Sequence, residues 1–143
     1  MRFSLRTDYA FRVLIHLAGH PDIRVTVRDI SGLHGISHNH LVKVVHHLCH
    51  CGMVTGTRGR TGGIRLAMPA ASINVGDVIR AMETEREFPA DCEFHASNRC
   101  ILADVCRLRH VTAKAADAFM AVLDGISIRD LVTDRDSAGN SVI

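Results

Sequence analysis

The 143-residue sequence predicts a mainly α-helical protein with a small β-hairpin wing: a winged helix-turn-helix followed by a long C-terminal dimerisation helix. Three observations carry that prediction. Two short segments of helical apolar period flank the break "HGIS" at residues 34–37. A hairpin pattern rich in glycine and arginine, "GTRGRTGGIRLA", comes next, and one long apolar stripe ends at Gly125.

The elements follow in order. "LRTDYAFRVLIHLAG" repeats apolar residues at Leu5, Val13, Leu14, Leu17 and Ala18 with the helical period; Ser4 or Thr7 is placed to cap it, and Gly19 with Pro21 to end it. A second helix starts at Thr26, with Asp29 three residues on in a capping-box pattern and Val27, Ile30 and Leu33 as its inner face. Gly35 breaks the chain, Ile36 plugs the turn, and Ser37 caps a third helix carrying Leu41, Val44, Val45 and Leu48 on one side, with Gly52 at its end. Met53–Thr57 and Ile64–Met68 read as short strands. "NVGDVIRAME" predicts a helix capped by Asn74 that buries Val78, Ile79 and Met82.

Thr84 to Arg99 shows no period and includes Pro89, as expected of a loop; one that long in a small domain is functional or disordered. From about Leu102 the helical period returns, and Leu108, Val111, Ala115, Ala118, Phe119, Val122 and Leu123 form a stripe expected to be a dimer seam. "SIRDLV" adds one short turn or helix. The expected organisation is therefore a winged helix-turn-helix over residues 1–83, a cysteine-bearing loop over 84–101, the dimerisation helix and a short helix over 102–133, and a loose tail over 134–143.

Charge separates the two halves. Residues 1–70 hold nine Lys or Arg against three Asp or Glu, whereas residues 71–143 hold eight against twelve. Eight of the ten histidines also lie in the first half. A basic half favours a polyanion such as double-stranded DNA, through release of phosphate counterions. No apolar run is long enough for a membrane span, and the N-terminus lacks the features of a signal peptide, so a cytoplasmic protein is expected. In a helix-turn-helix the start of the second helix faces base edges in the major groove; here that is Ser37, His38, Asn39 and His40, with Lys43 one turn later. Asn39 has the donor–acceptor pair that reads adenine, and Lys43 suits a phosphate. In the wing, Arg58 and Arg60 lie among Gly59, Gly62 and Gly63, a composition suited to close backbone approach and to a narrow minor groove.

Cys92, Cys100 and Cys106 are spaced by seven and five residues on the loop that runs into the long helix. In a reducing compartment, clustered thiols bind metal or respond to redox chemistry. No tight C-x2-C pair announces structural zinc, and the wide spacing suits an iron–sulfur cluster, whose ligand sites are spread out. Cys100 is expected just before the helix, where the positive end of the helix dipole favours thiolate, and Arg99, Arg107 and Arg109 offset the charge of a thiolate-bound cluster.

With "TDYAFRVLIHLA", "HLVKVVHHL", "GTRGRTGGIRLA" and "CILADVCRLRHVTAKAADAFMAVLDG" in view, the chain resembles, over nearly its whole length, the winged-helix iron–sulfur repressor family that includes the NsrR nitric-oxide sensors and the IscR regulators of cluster assembly. Its opening and its last cysteine segment resemble the NsrR branch. The resemblance implies a homodimer that binds a palindromic operator while a cluster, [4Fe–4S] in preference to [2Fe–2S], is intact, and that releases DNA when nitric oxide attacks the cluster. IscR-type relatives place a ligand histidine three residues after the last cysteine; here that position is Arg109, with His110 one further on. Other relatives carry a carboxylate in the opening helix that reaches the partner's cluster, and Asp8 matches it. Glu93, His95 and water are rivals for the fourth position, and the helix dipole alone accounts for an acidic residue at Asp8.

A second histidine and cysteine motif, "HHLCHCG", spaces His46 from His50 and His47 from Cys51 by four, with Cys49 between, as zinc sharing on a helix would require. Its place across the end of the recognition helix favours ordinary small side chains and solvated histidines. Two alternatives stand beside the nitric-oxide repressor: a regulator of cluster supply or redox state, and a zinc-stabilised DNA-binding module. An enzyme is not expected, because no nucleophile–base pair or phosphate loop is present.

Overall fold

The computed structural model describes residues 3–57, 62–83 and 106–132. Helix α1 (Leu5–Gly19) is capped by the Ser4 hydroxyl, which accepts from the Thr7 amide. Helix α2 (Val27–His34) opens with a complete Thr26–Asp29 capping box and closes at Gly35 in the left-handed conformation (φ 62°), where a side chain would be strained. Ile36 fills the turn, and helix α3 (His38–His50) buries Leu41, Val44, Val45 and Leu48 before Gly52 turns the chain at φ 72°. Strands β1 (Val54–Thr57) and β2 (Gly63–Leu66) form an antiparallel hairpin in register Val54↔Leu66. After a 3₁₀ turn (Ala70–Ser72) come α4 (Val75–Met82), the long helix α5 (Arg107–Asp124) and a final 3₁₀ turn (Ile128–Leu131) with its own Ser127–Asp130 capping box.

One core joins these pieces: Ala10, Val13, Leu14 and Leu17 of α1 meet the buried faces of α2, α3 and α4, with Ile73 and Ile128 closing it from below. Two sequence expectations fail at its edges. Leu5 and Leu33 are 64% and 52% exposed. Thr7 takes the inward place in the first turn of α1, because its hydroxyl donates to the Glu83 carboxylate 76 residues away.

The long helix also departs from expectation in two ways. It does not include Cys106, whose backbone is extended and stands at the N-cap, so the thiol at the helix start is Cys106 and not Cys100. The residues around Leu102 that suggested an earlier start lie outside the described residues, as do Cys92 and Cys100. The stripe is two faces rather than one. Ala116 is buried, Met120 and Leu123 pack on the head's core, and Phe119 meets the ring of Phe3. Leu108, Val111, Ala115, Ala118 and Val122, spaced alternately by three and four, face solvent.

Candidate nucleic-acid interface and cluster site

The start of α3 presents Ser37, His38, Asn39, His40 and Lys43 together on an exposed surface. Their placement follows from the opposite side of the helix: with Leu41, Val44, Val45 and Leu48 locked in the core, the remaining positions must face out. The Ser37 hydroxyl makes no cap hydrogen bond and is available to a ligand.

Behind this row the wing is braced to the head. Ile64 donates its amide to the Val25 carbonyl at 2.8 Å, and the Arg24 Nε donates to the Gly62 carbonyl at 2.6 Å. A Cβ at Gly63 would come within 2.8 Å of that same Val25 carbonyl. Gly63 therefore has an internal reason to be glycine, beyond any approach to DNA. Arg24, 38 residues from its partner, carried no local sequence signal. Arg58 and Arg60 lie outside the described residues.

The described residues that flank the cysteine-bearing segment are Glu83 and Cys106. Glu83, immediately before it, accepts from the Ser4 amide at 2.9 Å and from the Thr7 hydroxyl, in the turn of α1 that carries Asp8. Cys106, after it, is a half-buried free thiol at the start of α5. Asp8 is 46% exposed by its side chain and pairs with Arg12 at 2.9 Å. Arg109 and His110 are both exposed in the first turn of α5. Glu93 and His95 lie outside the described residues. Of the three cysteines, Cys106 is the one among the described residues; its thiol is a soft donor, and the Asp8 carboxylate is a harder one.

The second motif is dispersed by the fold. His46 and His50 face solvent, the His47 ring hydrogen-bonds the Ala81 carbonyl at 2.8 Å, and Cys49 is half-buried. Burial pushes the Cys49 thiol up, away from the thiolate that metal binding needs. Among the described residues no three His, Cys, Asp or Glu side chains come together as a metal site, and no helix is long and apolar enough to cross a membrane.

A helix-turn-helix with an exposed first turn on its second helix and a braced two-stranded wing defines a winged-helix DNA-binding transcription regulator. The chain belongs to the Rrf2 family, described as iron-dependent transcriptional regulators, whose model matches residues 3–134. Among solved structures it is similar to CymR (YrzC), the global cysteine regulator of B. subtilis, at 26% identity and TM-score 0.75, covering 94% of this chain and 99% of that one. It is also similar to T. potens IscR, at 26% identity and TM-score 0.69 over 92% and 85% of the respective chains. The oxidised form of Staphylococcus aureus CymR shares the fold at 24% identity and TM-score 0.72, over 92% of this chain and 95% of that one. Members of the family regulate transcription and are not enzymes.

Proposed function

We propose that the chain is a homodimeric repressor of the NsrR type, whose hold on a palindromic operator depends on an iron–sulfur cluster that reacts with nitric oxide. Cys92, Cys100 and Cys106 supply three ligands, and Asp8 of the second copy supplies the fourth. The cluster, [4Fe–4S] in preference to [2Fe–2S], contributes an iron whose oxygen ligand is more replaceable than the thiolates. Ser37, His38, Asn39, His40 and Lys43 face the major groove, and Arg58 and Arg60 the minor groove.

The observation that carries this reading is the bond from Glu83 to the first turn of α1. The cysteine segment leaves the head at the turn that holds Asp8, so a change in that segment pulls on the helix behind the helix-turn-helix. Arg12 pairs with Asp8 at 2.9 Å, and ligation by Asp8 would require the carboxylate to leave that pair. The outward face of α5 supports pairing: Leu108, Val111 and Val122 are at least 63% exposed, a costly arrangement for a helix without a partner.

A regulator of cluster supply or redox state remains the second reading, favoured by the likeness to IscR and CymR at equal identity. Anaerobic purification with iron and acid-labile sulfide analysis separates both from a colourless zinc module. Titration with nitric oxide, while operator binding is followed, then separates the first from the second. Wild type without iron or sulfide that binds its target as a Cys92/Cys100/Cys106 triple serine variant does would refute cluster gating.

A further inference from the structure

The densest polar junction in the described residues lies at the end of α5 farthest from Cys106. The Asp124 carboxylate accepts from Arg80 Nη2 at 2.7 Å, while Arg80 Nη1 reaches Asp77 at 3.0 Å. Asn74 caps α4 with its side-chain oxygen, which accepts from the Gly76 and Asp77 amides, and donates its side-chain nitrogen to the Asp124 carbonyl. Gly76 is buried in the first turn of α4, and a Cβ there would overlap the Asp124 carboxylate. Just past the helix, the Val75 amide donates to the Ile126 carbonyl at 2.9 Å and the Ile128 amide to the Ile73 carbonyl at 2.9 Å. A side chain at position 76 would have to displace the incoming carboxylate.

We infer that Asn74, Gly76, Arg80 and Asp124 form the pivot that fixes the angle between the long helix and the winged head, and so determine which half-site spacing two paired heads accept. The inference rests on the two-headed DNA-binding reading above. An 18-residue helix is about 27 Å long. Packed on the head from Ala116 to Asp124, it runs about 15 Å on from Ala116 towards Cys106. A small rotation of the packed half therefore becomes a displacement of a few ångströms at Cys106, and the reverse holds for a change at the Cys106 end. A dimer reading half-sites about one helical turn apart tolerates little of such drift. Arg80 and Asp124 are thus positioning residues, remote from the bases.

The test is selection from a randomised duplex DNA library, with wild type compared against Gly76→Ala, Arg80→Gln and Asp124→Asn. Arg80→Gln alters an exposed side chain and is expected to fold even if Gly76→Ala does not; melting and helicity establish this for each variant. The variants should recover the wild-type half-site sequence but spread over several spacers, with binding to the wild-type spacing weakened about fivefold or more. Arg80→Lys should restore part of the selectivity, and Asp77→Asn, which touches Arg80 only from within α4, should leave it intact. Hydrogen exchange on chelator-treated protein supplies a readout independent of any cluster: the Val75 and Ile128 amides should exchange faster in the clamp variants. A single unchanged spacer with unchanged exchange in folded Arg80→Gln and Asp124→Asn would overturn the pivot. Selection of an unpaired half-site by wild type itself, with exchange still accelerated in the variants, would instead overturn the paired-head reading and leave the junction as the anchor of α5.

Discussion

The head and the long helix use apolar side chains in opposite ways. In the head, Leu14, Ile30, Leu41, Leu48 and Ile79 are completely buried within one chain. On α5, Ala116 is the buried residue, while Leu108 and Val111 stand 70% and 63% exposed. The head buries its apolar side chains within one chain; on the paired reading proposed above, the outward face of the helix takes its stabilisation from a second molecule. Stability and assembly should therefore respond to different substitutions, and the contrast can be broken experimentally.

The largest effect is expected in the head. Leu41→Ala removes a fully buried side chain from the back of the recognition helix and should cost about 2–5 kcal/mol, measured by urea denaturation. DNA binding should fall with the folded fraction, because the outward row depends on that inward anchor. Val111→Asp should behave differently. It should weaken self-association at least about tenfold in sedimentation, because the carboxylate must be desolvated at the seam. The head's own unfolding should move by no more than about 0.5 kcal/mol, the range for exposed sites. Equal losses of head stability in the two variants would erase the distinction. A third, smaller effect is expected at the joint between head and wing. Gly63→Ala forces the Val25 carbonyl away and should cost about 1–3 kcal/mol as an overpacked contact. A calorimetric shift with unaltered major-groove contacts would place the cost in the wing brace.

The same contrast explains what the sequence made legible. The inward face of helix α3 is readable because its period is strict and glycines lie near both ends, so Leu41, Val44, Val45 and Leu48 are assigned inward and the exposed row follows by exclusion, whereas the expected Ser37 side-chain cap is not made. Leu5 was misassigned because a first-turn position fits the period equally well facing out, and the partner that draws Thr7 inward, Glu83, is 76 residues away. The long helix looked like one stripe because alternating spacings of three and four overlap with the helical period; only packing separates the face of Ala116, Met120 and Leu123 from that of Val111 and Val122. The thiols were conspicuous as residue types, whereas the Glu83 tether and the Arg24 brace are tertiary contacts without a local signature.

The smallest effect concerns pH and compares the two capping boxes. The Thr26 hydroxyl and amide hold the Asp29 carboxyl below its ordinary value, and the Ser127 hydroxyl and amide do the same for Asp130. A depressed carboxyl pKa means that the unfolded chain binds the proton more readily. The stabilisation is therefore complete above the unfolded value of about 3.9 and disappears as pH falls through the lower folded value. Neither group contributes any pH dependence in the neutral range, where its stabilisation is fully present. Asp29 is exposed, so solvent screening reduces its contribution to a few tenths of a kcal/mol. Asp29→Asn should therefore unfold slightly earlier than wild type at pH 7, with the two curves converging below about pH 4 as the native carboxylate takes up its proton. Asp130→Asn should show the same convergence, read from the motion of the last turn that supports Ile128. A gap that persists at low pH would assign the loss to packing, and a gap that opens between pH 6 and 8 would point to the histidines of the head.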